Sequence, residues 1–143
     1  MIIPDLNLLI YAVNGEAAWH QKAKTWWEEC VNKGEQIGIA WVVLLGFLRL
    51  TTSPRVFPRP LSLKQALDII ETWLERKNIV LLSPGSKHFY LLKTLLLAAG
   101  TGGNLTTDAH LAALCLECGG MLYTADNDFR RFAPLKTKNP LAL

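Results

Sequence analysis

The sequence predicts an α/β fold with a short, mainly parallel central sheet covered by helices on both faces. Three observations carry this. The runs Met1–Pro4, Ile79–Leu82 and Met121–Thr124 are short and apolar without alternation, as strands buried on both faces are. Stretches with helical spacing separate them. A chain of 143 residues, 50% of them apolar, suffices for one domain with a sizeable core, here residues 1–143.

Taken in order, Met1–Pro4 is the first strand. Leu6, Leu9, Ile10 and Val13 then repeat at helical offsets, predicting a helix over 6–13. A second helix is expected over Ala17–Asn32, closed near Gly34, and a very short strand over Ile37–Ile39. Trp41–Leu50 is apolar almost all round, which predicts a helix buried on most of its surface. The prolines of TTSPRVFPRP make 51–60 a loop. Ser62 caps a helix running to about Lys77, with Ala66, Leu67, Ile70 and Leu74 facing inward. After the strand Ile79–Leu82 come a helix over Ser86–Ala99 and a glycine-rich turn. A further helix spans about Thr107–Glu117, capped by Thr106 or Thr107. The strand Met121–Thr124, a helical turn over Asp126–Phe132 and an edge strand over Leu135–Thr137 complete the chain.

Composition narrows the function. The apolar content excludes a disordered chain, and no apolar run reaches the roughly 18 residues of a membrane span, so no membrane association is expected. Three cysteines cannot all pair, and the first residues lack a basic segment typical of secretion signals. A cytoplasmic location is expected. The net charge of +3 permits nucleic-acid contact without demanding it.

The acids are more informative. Beyond Glu75 only Asp108, Glu117, Asp126 and Asp128 are acidic. Asp5 and Asp126 each follow a predicted strand, and ligand sites in open parallel sheets form outside the carboxyl ends of strands. Asp108 heads the apolar stripe Leu111, Ala112, Cys115 in the first turn of its helix. Carboxylates converging there would repel one another unless a hard cation such as Mg²⁺ or Mn²⁺ relieved them. Such a site cleaves phosphoesters, of RNA, of DNA or of small molecules. Each acid also has a plainer role: Asp5 as a helix cap, Asp108 as a first-turn acid, Asp126 and Asp128 as turn residues.

Five stretches in order, PDLNLLIYA, WVVLLGFLRLTT, PRVFPRPLS, GNLTTDAHLAAL and LYTADNDFRRF, resemble PIN-domain ribonucleases, most closely the VapC-type toxins of bacterial toxin–antitoxin pairs. The resemblance covers nearly the whole chain. It implies a three-layer α/β/α fold, Mg²⁺- or Mn²⁺-dependent endoribonuclease activity on RNA, a homodimer, and neutralisation by a small cognate antitoxin. It places the catalytic, metal-holding acids at Asp5, Asp108 and Asp126, with Asp128, Asn7 and Asn104 auxiliary. The family's usual glutamate, two residues before Leu-Arg in the middle helix, is Gly46 here. That departure leaves an alternative, a PIN-like module that binds RNA or antitoxin with weak or no catalysis. It also leads to the expectation that Gly46→Glu strengthens metal binding and cleavage, with Glu16 the first candidate for a substitute acid.

Among the basic residues, Arg49, Arg55, Arg59, Arg130 and Arg131 are candidates for RNA phosphate, and Arg130 and Arg131 lie nearest to Asp126 in sequence. Cys115 and Cys118 form C-x-x-C without a second pair and are expected as packing thiols. His20, His88 and His110 show no ligand spacing, and His110 should point away from Asp108. Trp19, Trp26 and Trp27 exceed what one helix needs for packing and could offer a face to a partner helix. The dimer contact is expected near Ser62–Lys77 or Ser86–Ala99.

Overall fold

A computed structural model describes residues 1–142. Five parallel strands form one sheet in the order β3-β2-β1-β4-β5, where β1 is Ile2–Pro4, β2 Ile37–Ala40, β3 Ile79–Leu82, β4 Met121–Tyr123 and β5 Thr137–Lys138. The first strand is central: Ile2 pairs with Ile37 on one side and Met121 on the other. Being covered from every direction, β1 is apolar and buried throughout. Helices α1 (Leu6–Val13), α2 (His20–Asn32), α3 (Trp41–Thr51) and α4 (Leu63–Leu74) form one packed group. Helices α5 (His88–Ala99) and α6 (Leu105–Cys118) form the other. The architecture is the α/β fold that the sequence predicts.

Local chemistry accounts for the boundaries. A reciprocal pair of hydrogen bonds starts α4: Gln65 N–H donates to Ser62 Oγ at 3.1 Å and Ser62 N–H to Gln65 Oε1 at 2.9 Å. Gly100 and Gly119 end α5 and α6 in the left-handed conformation. Helix α2 begins at His20 rather than Ala17, because Ala17 and His20 N–H close successive turns onto Asn14 and Ala17. Helix α4 stops at Leu74, α5 begins only at His88, and α6 already at Leu105, where a left-handed Gly103 turns the chain into the helix. Asn104 therefore sits at the cap, and neither Thr106 nor Thr107 does. The edge strand is displaced to Thr137–Lys138, since Leu135 N–H is held in a turn by Phe132 O.

Apolar residues are also less uniformly inward than their spacing predicts. Helix α3 buries Val43, Leu44, Gly46 and Phe47 but leaves Trp41 and Leu45 exposed. On α4, Trp73 joins Ala66 and Ile70 inside, whereas Leu67 and Leu74 are exposed. Trp27 is buried edge-on to Trp73, Trp26 stacks on Tyr123 at 5.5 Å, and Trp19 remains half exposed. Cys115 is buried as a packing thiol, but Cys118 is exposed.

Candidate functional site

Asp5 leaves β1 as its strand ends, and its backbone N–H continues the β1–β4 ladder to Tyr123 O at 2.9 Å. Its side chain is buried and accepts two hydrogen bonds, from Leu6 N–H at 2.7 Å and from Thr124 Oγ1 at 2.7 Å. The cap role foreseen for Asp5 is thus real, and it occupies only part of the carboxylate. Two oxygens offer about four lone-pair positions, so capacity remains. Burial pushes the Asp5 pKa up, the bonds from Thr124 and Leu6 pull it down, and the nearby charge of Asp126 raises it further.

Asp126 stands at the head of a 3-10 turn, Asn127–Arg131, and accepts from Asp128 N–H at 2.8 Å. Its own N–H donates to Thr124 Oγ1 at 3.0 Å. Thr124, which the sequence reasoning passed over, therefore joins two of the acids. The signal was present in TADND, a hydroxyl at a strand end two residues before an acid. Apolar periodicity and charge counting do not register it.

Asp108 reaches the same place from the first turn of α6. Its pKa is raised to about 6, first by burial and then by the charges of Asp5, Asp126 and Asp128, with Arg131 opposing. The shift reflects the placement by the fold of Asp5, Asp126 and Asp128 near Asp108 at one edge of the sheet, against their mutual repulsion. It also sets a pH dependence. The folded chain protonates Asp108 near pH 6, and an unfolded aspartate does so near 3.8, so the stabilisation from that proton is complete below about pH 4 and lost as pH rises through 6. Asp108→Asn mimics the protonated form. It should raise the melting temperature at pH 7.5 by about 3 °C, corresponding to about 1 kcal/mol after allowance for partial exposure. The gain should vanish at pH 4. Equal gains at both pH values would show that charge is not the cause.

The remaining candidates lie further out. Asp128 is exposed, with Arg131 Nη2 at 3.8 Å from its Oδ1, and Arg130 is exposed beside it. Asn7 and Asn104 are exposed, and among the described residues neither side chain hydrogen-bonds to the acids. His110 turns to α5, where its Nδ1 lies 2.9 Å from His88 Nε2. Glu16 sits exposed in the turn after α1, with its N–H donating to Asn14 Oδ1 at 3.1 Å. Gly46 is buried against α1, and a Cβ there would lie 2.5 Å from Leu6 Cδ2. For Gly46→Glu this contact means that the end of the Leu6 side chain must shift before an acid at position 46 is accommodated.

Among the described residues, no three His, Cys, Asp or Glu side chains are grouped closely enough to hold an ion as they stand. The donor set nonetheless suits a hard cation. It consists of neighbouring carboxylates with lone pairs to spare, and their charges add to the effect of burial in raising the pKa of Asp5 and of Asp108.

A parallel sheet with β1 at its centre and aspartates gathered beyond β1, β4 and the start of α6 defines a class as well as a geometry. The chain belongs to the PIN domain family, which matches residues 2–135, and within it stands with the VapC ribonucleases. It is 43% identical over 141 residues to Ribonuclease VapC33 of Mycobacterium tuberculosis, covering 99% of both chains. It is 39% identical over 143 residues to Ribonuclease VapC37 of the same organism, covering 100% of this chain and 99% of that one. Among solved structures, VapBC2 from Rickettsia felis, bound to a DNA fragment from its promoter, superposes with a TM-score of 0.69 at 21% identity. That match covers 97% of this chain and 98% of the other. Mycobacterium tuberculosis VapC20, described as a Sarcin-Ricin loop cleaving toxin, gives 0.69 at 17%, covering 95% and 99%.

Proposed function

We propose that this chain is a Mg²⁺- or Mn²⁺-dependent endoribonuclease, the toxin of a toxin–antitoxin pair, acting in the cytoplasm as a single domain over residues 1–143. The observation that carries this is the gathering of Asp5, Asp108 and Asp126 at one sheet edge, where burial first and the neighbouring charges second lift Asp108 to about 6. Relatives named as ribonucleases support RNA as the substrate, and the antitoxin comes with the VapC resemblance. Asp5, Asp108 and Asp126 would hold the cation. When bound, it supplies positive charge against phosphate oxygens and lowers the pKa of water. The chain's own residues do the rest. The bonds from Thr124 and Leu6 hold Asp5 in one orientation, and Asp128 N–H holds Asp126. Arg130 and Arg131, exposed on the 3-10 turn, offer charge to the RNA backbone. Asn7 and Asn104 flank the acids as polar contacts for substrate.

Cleavage of a panel of structured RNAs tests this. Fragments should accumulate with Mn²⁺ and cease with EDTA, and cleavage that persists in EDTA would rule the proposal out. A second function, an RNA- or antitoxin-binding module, is favoured by one observation, the apolar Leu6 contact at Gly46 where a fourth acid would otherwise stand. It would show itself as RNA retained but uncut in Mn²⁺.

The homodimer is proposed on exposed apolar side chains. Phe89, Tyr90 and Leu97 on α5 are 74%, 70% and 71% exposed, and Leu63 and Leu67 on α4 are exposed as well. Light scattering at micromolar concentration should read twice the chain mass. A single chain mass would contradict it. No helix among the described residues is long and apolar enough to cross a membrane.

A further inference from the structure

We propose that Thr124 is the positioning residue of the site: one buried hydroxyl that sets the orientation of Asp5 and the starting point of Asp126 together. Thr124 is 4% exposed, at the end of β4, with its backbone N–H fixed to Lys138 O at 2.9 Å in the neighbouring strand. Its Oγ1 has one proton to give and two lone pairs to receive with. Asp126 N–H, at 3.0 Å, takes one of those lone pairs. The proton goes to Asp5 Oδ2 at 2.7 Å. Leu6 N–H holds Oδ1 of the same carboxylate at 2.7 Å, so both Asp5 oxygens are directed from known positions and the side chain cannot rotate without breaking one bond.

The two acids lie on segments 121 residues apart by number, and the hydroxyl is their shared anchor. Without it, Asp5 Oδ2 loses its side-chain donor, and the Asp126 N–H loses its acceptor where the 3-10 turn begins. Side chains that orient ligating carboxylates typically influence metal affinity about 10–100-fold. That is the size of effect expected here.

The test rests on the metal-binding function proposed above and uses Mn²⁺ alone as the probe. Affinity is measured by calorimetric titration and by the Mn²⁺-induced rise in melting temperature, for wild type, Thr124→Val and Thr124→Ser. Valine keeps the shape and removes the hydroxyl; serine keeps the hydroxyl and removes the methyl. We expect valine to weaken Mn²⁺ binding at least about tenfold and serine to remain within about twofold of wild type. Should the valine variant fail to fold, Thr124→Cys, with a weaker donor of similar size, should fall between serine and the full loss. Wild-type affinity in the valine variant, or equal loss in the serine variant, would overturn the positioning role while leaving the metal site standing. Absence of Mn²⁺ binding by wild type would overturn the metal site itself, and the positioning role with it.

Discussion

Asp5→Asn should lower Mn²⁺-dependent RNA cleavage by at least about a hundredfold while leaving the chain folded. The substitution is nearly isosteric, and Oδ1 of an asparagine can still accept from Leu6 N–H as Asp5 does. What changes is the other half of the group. An amide nitrogen facing Thr124 Oγ1 would bring a second donor to a hydroxyl that already receives Asp126 N–H, so the Thr124 proton loses its acceptor. A negative charge also leaves the cluster, and the repulsion that raises the Asp108 pKa is weakened. Asp5→Asn should therefore shift the Asp108 titration downward, measurable by carboxyl chemical shifts across pH 4–8. Cleavage by Asp5→Asn at a rate close to wild type would exclude Asp5 from the catalytic set.

Gly46→Glu, made alone, should destabilise the fold by about 1–3 kcal/mol as the Leu6 side chain shifts to admit it, lowering the melting temperature by roughly 3–9 °C. The added Cβ would meet Leu6 Cδ2 at 2.5 Å, closer than side-chain carbons approach, so the end of the Leu6 side chain has to give way. Leu6→Ala combined with Gly46→Glu removes the obstruction. The pair should melt well above the single variant and bind Mn²⁺ more tightly than wild type, because a fourth carboxylate adds an oxygen ligand. If the single variant melts like wild type, Leu6 can move aside, and the space beside Asp5 is more adaptable than its packing indicates.

The order of the elements was legible because burial on both faces leaves an unbroken apolar run. Ile79–Leu82 was read to the residue, and Met1–Pro4 and Met121–Thr124 to within one residue. Boundaries set by local hydrogen bonding were less so. Gly103 advances the start of α6, and the Asn14–His20 turns delay α2, through backbone geometry that apolar spacing does not encode. The inward face of α4 differs from its apolar spacing: Leu67 and Leu74 are exposed and Trp73 is inside, where it packs against Trp27 and Phe47. Within the site, charge marked the aspartates, whereas Thr124 is uncharged and its role depends on β1 and β4 being neighbours, a tertiary fact. The filling of the Gly46 space by Leu6 is likewise a property of α1 against α3.

The central position of β1 has a consequence for the order in which the chain comes to life. Asp5 is synthesised before its partner hydroxyl at Thr124, which lies 119 residues further on. Until β4 has been made and has slotted in beside β1, the first acid has no neighbour on that side. Closing so long a loop is slow relative to forming the local helices. A nascent chain carrying only α1 to α5 therefore lacks the hydroxyl that holds Asp5, and the Asp5–Thr124 pair forms only once β4 has joined β1.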